Sequence, residues 1–386
     1  MPSPAYGLLT SATLAHRQPA LRAVSRRIES LRGINLSQGK CPLPLHPAVQ
    51  ACLEEASRER VHSATLRDGD PRLRTVIAHR FCAETGLAWT PENVAISGGA
   101  TGALECICRA FLQPGDEVVL FKPAFPYYTR MVRGQGATPR FVDLSEDGTI
   151  DADALGAAFG PATKLIIYCT PSNPTGRVRS RADVELIAKL CIEHDVIAVS
   201  DEVYRHFCRP GFPHQTVASV PGMADRSLTV RSVSKTLLAT GWRIGWVIGP
   251  VDVIRPIAIK SDQLFLCAAT PLQRATALAL ERLPEAYYEE LKAPFHRRMD
   301  QLAEGLAGAG FEPIDSEGGY FLLARYSGRG FQTDDEATEA LIERCGIGPV
   351  PGHGFHPEAH DMGFLRFSCA VPDPWIDEAC ARLIKL

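Results

Sequence analysis

Short apolar runs alternate with amphipathic stretches through the central part of the chain. Seven runs rich in β-branched residues predict strands at 94–97, 117–121, 138–142, 164–168, 196–200, 228–231 and 244–248. Apolar residues at helical spacing predict helices near 100–112, 125–133, 151–159 and 181–194. Strands that alternate with helices are typical of an α/β fold with a mostly parallel sheet covered on both faces.

The two ends of the chain follow a different pattern. A loosely helical lead segment, residues 1–33, precedes a short predicted strand that begins at Ile34. Further helices are predicted at 47–59 and 71–84, and one long helical stretch at 271–308. The remaining residues mix predicted strands, at 320–324 and 364–368, with predicted helices, at 334–345 and 373–385. The C-terminal part therefore predicts a last unit of mixed helix and strand.

The composition is that of an ordinary globular protein, with 386 residues, 45 % hydrophobic and 22 % charged, and a formal net charge of −3. The length predicts two domains, or one large domain with a smaller one attached. No stretch approaches the ~20 uninterrupted apolar residues of a membrane span, and we see no signal pattern. The 12 cysteines are scattered singly, which is typical of reduced thiols. We therefore expect a cytoplasmic protein without a nucleic-acid partner.

Candidate chemistry begins with the segment that follows the predicted strand at 228–231. There Ser232 and Ser234 flank Lys235, and Arg243 follows further along the chain. A lysine that acts as a nucleophile must lose its proton near neutral pH, and burial beside other cations lowers its pKa. So short a pattern more often marks an exposed loop lysine and a structural arginine. Its interpretation therefore depends on the other strand ends.

The predicted strands end in residues that could share one ligand. A glycine-rich turn around Gly99 opens a helix and could hold an anion, although such turns commonly serve only tight packing. Phe125 could stack on a flat ring or belong to the core, and Asn173 could be a ligand or a turn residue. Asp201 follows a strongly apolar strand and needs a cationic partner, and Tyr204 could reach the same place. Because open α/β sheets bind ligands at the carboxyl ends of their strands, the set suits an aromatic aldehyde that carries a phosphate.

The order of these motifs resembles that of the class I and II aminotransferases of fold type I, which bind pyridoxal 5′-phosphate (PLP). The matching segments, between Ile34 and about Ser368, are GGATGAL, TPSNPTG, SDEVY, SVSK…GWRIGW, GGYF, VPGHGF and LRFS. The resemblance implies an α/β fold whose large PLP-binding domain, residues 47–284, contains a mostly parallel seven-stranded sheet. It also implies a smaller α+β domain, formed by an N-terminal segment (1–46) and residues 285–386, and a homodimer with shared active sites.

The resemblance implies a role for each matching residue around the cofactor. Lys235 would bond to the cofactor aldehyde and then move the substrate α-proton, while Asp201 would pair with the pyridine nitrogen. Tyr204 and Asn173 would hydrogen-bond the phenolic oxygen of the ring, and Phe125 would stack on the ring. The residues expected to bind the phosphate are Gly99, Ala100, Thr101, Ser232, Ser234 and Arg243.

On the substrate side, the resemblance implies that Arg366 binds the α-carboxylate, because its planar guanidinium group can donate two parallel hydrogen bonds. It also implies that Asn173 and Gly39 lie next to the substrate. Three places depart from the family pattern, and the first is Lys122, which stands before the proline of the stacking segment where an acid or a similar residue is common. Ala64 stands where the family usually has a tyrosine that reaches the partner subunit's phosphate, and residues 40–41 are Lys-Cys in an unusual segment. The missing tyrosine could be replaced by His62, Ser63 or Thr65.

Three functions remain open at this point. The leading one is a PLP-dependent aminotransferase that moves an amino group from an L-amino acid, possibly a specialised one, to a 2-oxo acid by a ping-pong mechanism. The alternative keeps PLP but carries out an elimination, cyclisation or oxidation of natural-product biosynthesis, and the third is a non-catalytic sensor with the same fold. Histidines 353, 356 and 360 lie close together in sequence, but no carboxylate or cysteine set completes a known spacing, so no metal is predicted.

Overall fold

A computed structural model describes residues 20–39, 41–59, 61–145 and 148–386. Part of the predicted lead segment and Lys40 therefore lie outside the described residues. The helices are α1 (Ala20–Ser30), α2 (Pro47–Arg58), α3 (Pro71–Thr85), α4 (Gly99–Phe111), α5 (Pro126–Gly134), α6 (Ala152–Ala157), α7 (Arg181–Glu193), α8 (Val233–Thr236), α9 (Val251–Phe265), α10 (Thr270–Arg282), α11 (Glu285–Gly308), α12 (Asp334–Ala340) and α13 (Asp373–Leu383). The strands are β1 (Ile34–Asn35), β2 (Val94–Ser97), β3 (Glu117–Lys122), β4 (Thr138–Asp143), β5 (Thr163–Cys169), β6 (Ile197–Asp201), β7 (Ser227–Ser232), β8 (Gly245–Ile248), β9 (Glu312–Ile314), β10 (Phe321–Arg325), β11 (Ile347–Gly348), β12 (Val350–Pro351) and β13 (Phe364–Ser368).

The central sheet has seven strands in the order β2-β8-β7-β6-β5-β3-β4. Strand β8 runs antiparallel to both of its neighbours, and the other pairs are parallel. All seven strands predicted from the central pattern are present, with each end within one residue of its predicted position. The predicted α/β fold with a mostly parallel seven-stranded sheet is therefore confirmed.

Helices cover this sheet on both faces because its middle strands are apolar on both sides. In β5, Leu165 and Ile167 belong to one buried cluster, together with Ile107 of α4. Ile166, between them, belongs to a second cluster on the opposite face, with Ile187 of α7. This alternation follows from the two-residue period of a strand. The carboxyl ends of the parallel strands consequently meet at one edge, between the two layers of helices.

A second, antiparallel sheet with the order β12-β13-β10-β9 is formed by the C-terminal part of the chain. Strand β1 joins this part by pairing in parallel with β11. The main chain continues the connection, since Ser368 N donates to Leu36 O at 2.7 Å and Leu36 N donates to Gly348 O at 3.0 Å. Residues 34–36 and the C-terminal part thus form one region, while the domain boundaries at residues 46 and 284 remain predictions.

Proline accounts for the main differences from the predicted helices. The stretch predicted as one helix at 271–308 consists of α10 and α11, because Leu283 is extended before Pro284, as residues before proline usually are. Helix α9 was not among the predicted helices, and it continues through Pro256. The predicted helix at 151–159 is the shorter α6. The helix predicted at 334–345 consists of α12 followed by one π-helical turn, Leu341–Cys345. Within the described residues, no helix is both long and apolar enough to cross a membrane.

Candidate active site

A cavity of about 1010 Å³ opens at the carboxyl ends of β5, β6 and β7. Its walls come from the central sheet, from the loops around β1 and from helix α1. Every predicted site residue except Gly99 lines it, namely Gly39, Ala100, Thr101, Phe125, Asn173, Asp201, Tyr204, Ser232, Ser234, Lys235, Arg243 and Arg366. The structure thus brings together residues from distant parts of the chain.

Lys235 lies in the single turn of α8, directly after β7. Ser232 caps this turn, because its hydroxyl accepts a hydrogen bond from Ser234 N at 3.1 Å and lies 2.9 Å from the Ile244 carbonyl oxygen. The amine of Lys235 donates to the Gly39 carbonyl oxygen at 3.1 Å. Burial lowers the pKa of this amine to about 8. The lysine is therefore held at a fixed place with a proton that it can lose near neutral pH.

Asp201 is the last residue of β6 and is 5 % exposed. Burial raises the pKa of its carboxyl group to about 6. Tyr128 opposes this shift, since its hydroxyl donates to Asp201 Oδ2 at 2.7 Å, and Val203 N donates to Oδ1 at 3.4 Å. The sequence analysis missed Tyr128, although it lies in the same aromatic segment as Phe125. Only the fold shows which of these aromatic side chains reaches the acid.

The start of α4 and the side chain of Arg243 form a cationic corner of the cavity. Gly99 has φ +80°, and a Cβ atom there would lie 2.4 Å from Arg243 Nη2. Gly99 therefore makes room for the guanidinium group, even though it does not line the cavity itself. Arg243 donates from Nη1 to Ser234 Oγ at 3.3 Å and from Nη2 to the Gly98 carbonyl oxygen at 3.4 Å. Free amides at a helix start and a nearby guanidinium favour an anion here.

Arg366 on β13 is buried to 1 % exposure at the other end of the cavity. Its Nη1 donates to Asn173 Oδ1 at 2.8 Å, and its Nη2 donates to the Ser37 carbonyl oxygen at 2.5 Å. The guanidinium carbon lies 4.2 Å from the ring centroid of Phe321 and 4.9 Å from that of Phe355. Burial lowers its pKa to about 10, yet within the described residues no carboxylate pairs with it and its Nε has no partner. A buried cation in this state can accept an anion as a partner.

Gly39 and Tyr320 shape the space above Lys235. A Cβ atom on Gly39 would lie 3.3 Å from Tyr320 Oη and from Phe321 Cζ, and 3.5 Å from Lys235 Nζ. The Tyr320 hydroxyl donates to the Gly39 carbonyl oxygen at 3.3 Å, the same atom that accepts from Lys235. Tyr320 belongs to the GGYF motif, which the sequence analysis matched without giving the tyrosine a role. Tyr320 and Lys235 therefore meet at the same main-chain oxygen.

Phe125 and the segment around Ala64 complete the predicted set. The ring of Phe125 lies on the cavity wall and stacks on Tyr127, with centroids 5.0 Å apart. Ala64 is exposed, as are His62 and Ser63, whereas Thr65 Oγ1 is half-buried and accepts a hydrogen bond from the Gln273 amide at 3.2 Å. Thr65 thus has a partner within its own chain, and the other two positions are open to solvent.

The three histidines of the segment 353–360 do not form one site. His353 Nδ1 lies 3.0 Å from Asp334 Oδ1, a hydrogen bond that raises the pKa of the histidine, while the rings of His356 and His360 stack at 4.7 Å. Ligand atoms of His353, Asp334 and Asp335 lie within 4.8 Å of one another. Asp334 also accepts from the His353 main-chain amide at 2.6 Å. These contacts join the loop before β13 to the start of α12.

Comparison with known proteins gives a consistent result along the whole chain. The family described as aminotransferase class I and II matches residues 32–383. Kynurenine–oxoglutarate transaminase 1 of Mus musculus is 32 % identical over 378 residues, which cover 88 % of each chain. The solved N-succinyldiaminopimelate aminotransferase of Mycobacterium tuberculosis has a TM-score of 0.92 at 31 % identity and covers 97 % of this chain and 99 % of that one.

Aspartate aminotransferase of Thermus thermophilus is similar to the same extent, with a TM-score of 0.90 and 31 % identity over 97 % of this chain and 98 % of that chain. These relatives are transaminases, and they support transamination over the elimination, cyclisation or oxidation alternative. The two solved structures also share the fold described above. The chain therefore belongs to the class I and II aminotransferases.

Proposed function

We propose that this aminotransferase binds PLP in the cavity described above and exchanges amino groups between an L-amino acid and a 2-oxo acid in two half-reactions. The observation that carries the proposal is a single cavity lined by the half-buried Lys235 and by two buried residues, the acid Asp201 and the cation Arg366. Burial lowers the pKa of the Lys235 amine to about 8. A transamination needs an amine that moves a proton, an acid that pairs with the ring nitrogen of the cofactor, and a cation that holds the substrate carboxylate.

The residues present fit PLP as a group. Arg243, Ser234 and the amides at the start of α4 offer a cationic site for the phosphate. Asp201 can face the ring nitrogen, because Tyr128 occupies one of its oxygens and the other accepts only a long main-chain bond. Phe125 offers a flat surface for the ring. When bound, PLP withdraws electrons from the α-carbon of an attached amino acid.

The chain's own residues then orient the substrate and move its proton. Arg366 is already aligned by Asn173 and by Ser37 O, so it can bind the α-carboxylate with its remaining N–H groups without rearrangement. Asn173 accepts a hydrogen bond from this arginine and, like Tyr204, lines the part of the cavity where the cofactor ring would lie. The neutral amine of Lys235 can take the proton from the α-carbon of the substrate and, once protonated, can donate that proton again. Its lowered pKa keeps this amine close to the operating pH, as proton transfer requires.

A single-turnover experiment tests the proposed function. The protein is loaded with PLP, mixed with a panel of L-amino acids in the absence of a 2-oxo acid, and followed by absorbance. We expect at least one amino acid to convert the cofactor to its pyridoxamine form and to leave the matching 2-oxo acid, identified by mass spectrometry. Products that retain the α-nitrogen would instead indicate the alternative reaction class. Borohydride trapping at Lys235 with no turnover of any amino acid would indicate a sensor.

The proposal includes a homodimer in the cytoplasm. Two consecutive large apolar side chains, Phe265 (45 %) and Leu266 (62 %), are exposed, and a second copy could cover them. Phe265 packs near the start of α4, because a Cβ atom on Gly102 would lie 3.4 Å from its ring. A dimer that used this surface would bring a second chain close to the cationic corner. Sedimentation in the presence and absence of PLP measures whether the dimer forms. All 12 cysteines are free, which agrees with a reducing compartment.

Replacing Tyr128 with phenylalanine is expected to make PLP binding more sensitive to acid. Ionised Asp201 is the form that pairs with the ring nitrogen, so affinity should fall as the pH drops through its pKa of about 6. The hydroxyl of Tyr128 stabilises the ionised form, and its loss should raise that pKa by about one unit. We therefore expect the fall in affinity to begin about one pH unit higher in the variant, measured by fluorescence titration of the apoprotein with PLP between pH 5.5 and 8.5.

The matched control is Tyr127→Phe, which removes a hydroxyl from the neighbouring residue and keeps the ring that stacks on Phe125. Its titration curve should follow that of the wild type. Equal pH profiles for Tyr128→Phe and wild type would show that Tyr128 does not control the charge of Asp201.

A further inference from the structure

We infer that a second, small cavity behind the strand ends that carry Asp201 and Lys235 binds one monovalent anion of the size of chloride. This rear cavity has a volume of about 30 Å³ and lies between α3, β7, β8 and the segment that follows β6. None of the described residues that line it also lines the active-site cavity. The anion site is therefore separate from the places of the cofactor and the substrate.

The rear cavity and the active-site cavity lie back to back. Glu202 and Thr236 line the rear cavity, and the residues directly before them, Asp201 and Lys235, line the active-site cavity. Consecutive residues therefore divide between the two cavities at the end of β6 and in the turn of α8. An anion in the rear cavity would lie against the same strand end and the same turn as the catalytic groups, without meeting the substrate.

Cations outnumber carboxylates around the rear cavity. Three guanidinium groups line it, those of Arg80, Arg205 and Arg231. In the described part of the chain, the carboxylates that pair with them are those of Glu84 and Glu202. Arg231 pairs with both acids, and Arg205 pairs with Glu84 at 2.8 Å. Three positive charges thus face two negative charges, and one positive charge is left over.

Arg80 on α3 is the guanidinium group that has no carboxylate partner among the described residues. Its Nη1 donates to the Leu280 carbonyl oxygen at 2.6 Å and its Nη2 donates to the Tyr288 hydroxyl at 2.9 Å. Both acceptors are uncharged, so these bonds fix the position of the guanidinium group without neutralising it. A half-buried charge of this kind is costly unless an opposite charge lies nearby, and an anion in the rear cavity would supply that charge.

The histidines of this region add no negative charge. His206 lines the rear cavity, and burial, followed by the nearby Arg205, Arg231 and Arg80, holds its pKa well below the usual range. His206 is therefore neutral, and its lowered pKa reflects the same excess of cations. His214 Nε2 lies 3.1 Å from a carboxylate oxygen of the network, and a histidine carries either no charge or a positive one.

Trp246 on β8 adds a hydrogen-bond donor to the wall of the rear cavity. Its Cα is paired with that of Arg231 on β7, so the two side chains lie on the same face of the sheet. Trp246 is 6 % exposed, and its indole Nε1 has no hydrogen-bond partner among the described residues. A buried donor without a partner is costly. The wall thus contains more donors and cations than acceptors, which is the composition of an anion site.

The volume of the rear cavity limits which anion can bind. A cavity of about 30 Å³ has room for about one particle of the size of a water molecule. A chloride ion is of this size, whereas a phosphate, a sulfate or a carboxylic acid is larger. A water molecule would fit as well, but it carries no charge and would leave the excess of cations in place. Charge and size together therefore favour chloride.

The solution experiment follows urea unfolding of the PLP-loaded enzyme while sodium chloride replaces sodium gluconate at constant ionic strength. Gluconate is too large for the rear cavity. We expect the urea midpoint of wild type to rise with chloride and to reach a plateau, because a ligand that binds only the folded state stabilises that state. Arg80→Gln should weaken the apparent chloride affinity at least about 10-fold, since a hydrogen bond to a charged group is lost. The matched control is Arg72→Gln, which removes the same charge from an exposed position on the same helix and should keep the chloride dependence of wild type.

Crystals of the PLP-loaded wild type grown in sodium bromide locate the anion directly, because bromide scatters X-rays anomalously. We expect one bromide in the rear cavity, in contact with the guanidinium group of Arg80 and the indole of Trp246. Bromide found only beside Arg243, beside Arg366 or on the protein surface would overturn the inference. So would a chloride dependence of unfolding that is the same in Arg80→Gln and wild type. Both outcomes would leave the proposed function standing, since that function is tested by turnover.

Discussion

Replacing Lys235 with alanine is expected to lower the turnover number at least about 10⁴-fold, because it removes the nucleophile and the proton carrier in one step. Among the cavity groups described above, only the amine of Lys235 has a pKa slightly above neutral, at about 8. Its neighbours Tyr204 and Tyr320 have pKa values that burial raises far above their usual range, so they cannot take over the proton. Transamination assays with the purified variant measure the loss.

Lys235→Arg is the control for charge, because it keeps a cation near the Gly39 carbonyl oxygen but cannot release its proton. It should be as inactive as the alanine variant. Added small primary amines should restore part of the activity of Lys235→Ala, since an amine can enter the space that the side chain leaves. Circular dichroism should show an unchanged fold for both variants. Residual activity above a tenth of wild type in either one would contradict the role given to Lys235.

The central sheet could be predicted from sequence because its strands are local signals. Each one is a short apolar run between turn residues, and β5 and β6 lie so deep that both faces are apolar. Helix boundaries near prolines were less predictable. Pro284 separates two helices, and Pro256 does not interrupt α9. The two outcomes differ because tertiary packing decides whether a helix tolerates a proline, and a single-sequence pattern contains no information about packing.

The site was predictable where its residues follow the strands directly, as Asp201 and Lys235 do, since strand ends of a parallel sheet converge. Residues that reach the cavity from elsewhere were missed. Tyr128 bonds to a residue 73 positions away in the chain, and helix α1 lines the cavity from a segment that the sequence showed only as loosely periodic. Tyr128 reaches Asp201 because α5 packs against the central sheet, and α1 reaches the cavity because it packs beside β1. No local pattern encodes either contact.

Behind the cavity, a buried ion network supports the two strands that carry the catalytic groups. Glu202 follows Asp201 in sequence, so its side chain points to the opposite side of the strand end. Arg231 precedes the cap of α8 and donates to Glu202 Oε2 from Nε at 3.0 Å and to Glu84 Oε2 from Nη1 at 2.9 Å. The side chain of Glu202 is completely buried, and that of Arg231 is 6 % exposed. The network therefore joins β6, β7 and α3 through one guanidinium group.

Arg231→Met is expected to lower the free energy of unfolding by about 3–5 kcal/mol, the usual cost of removing one partner from a buried ion pair. Glu202 would remain in the interior without the cation that offsets its burial. Burial alone raises the pKa of Glu202, but Arg231 and then His214 outweigh it and hold the pKa well below its usual range. In wild type the stability that ionised Glu202 contributes is fully present above the pKa of glutamate in the unfolded chain, about 4.3, and it is lost only in stronger acid. Urea denaturation at fixed protein and PLP concentrations measures the difference.

The pH dependence of this difference separates a charge effect from a packing effect. Without Arg231, burial should raise the pKa of Glu202, so the variant can neutralise the acid by protonation as the pH falls. We therefore expect the gap in unfolding free energy between wild type and Arg231→Met to shrink between pH 7 and pH 5. The control Arg231→Met/Glu202→Gln removes the uncompensated charge and should recover part of the loss at pH 7 while showing little dependence on pH. Two outcomes would contradict the charge effect: a difference in unfolding free energy that stays constant over this pH range, or a double variant less stable than the single one. Either would mean that Arg231 acts through its packing on Phe81, whose ring centroid lies 5.0 Å from the guanidinium carbon.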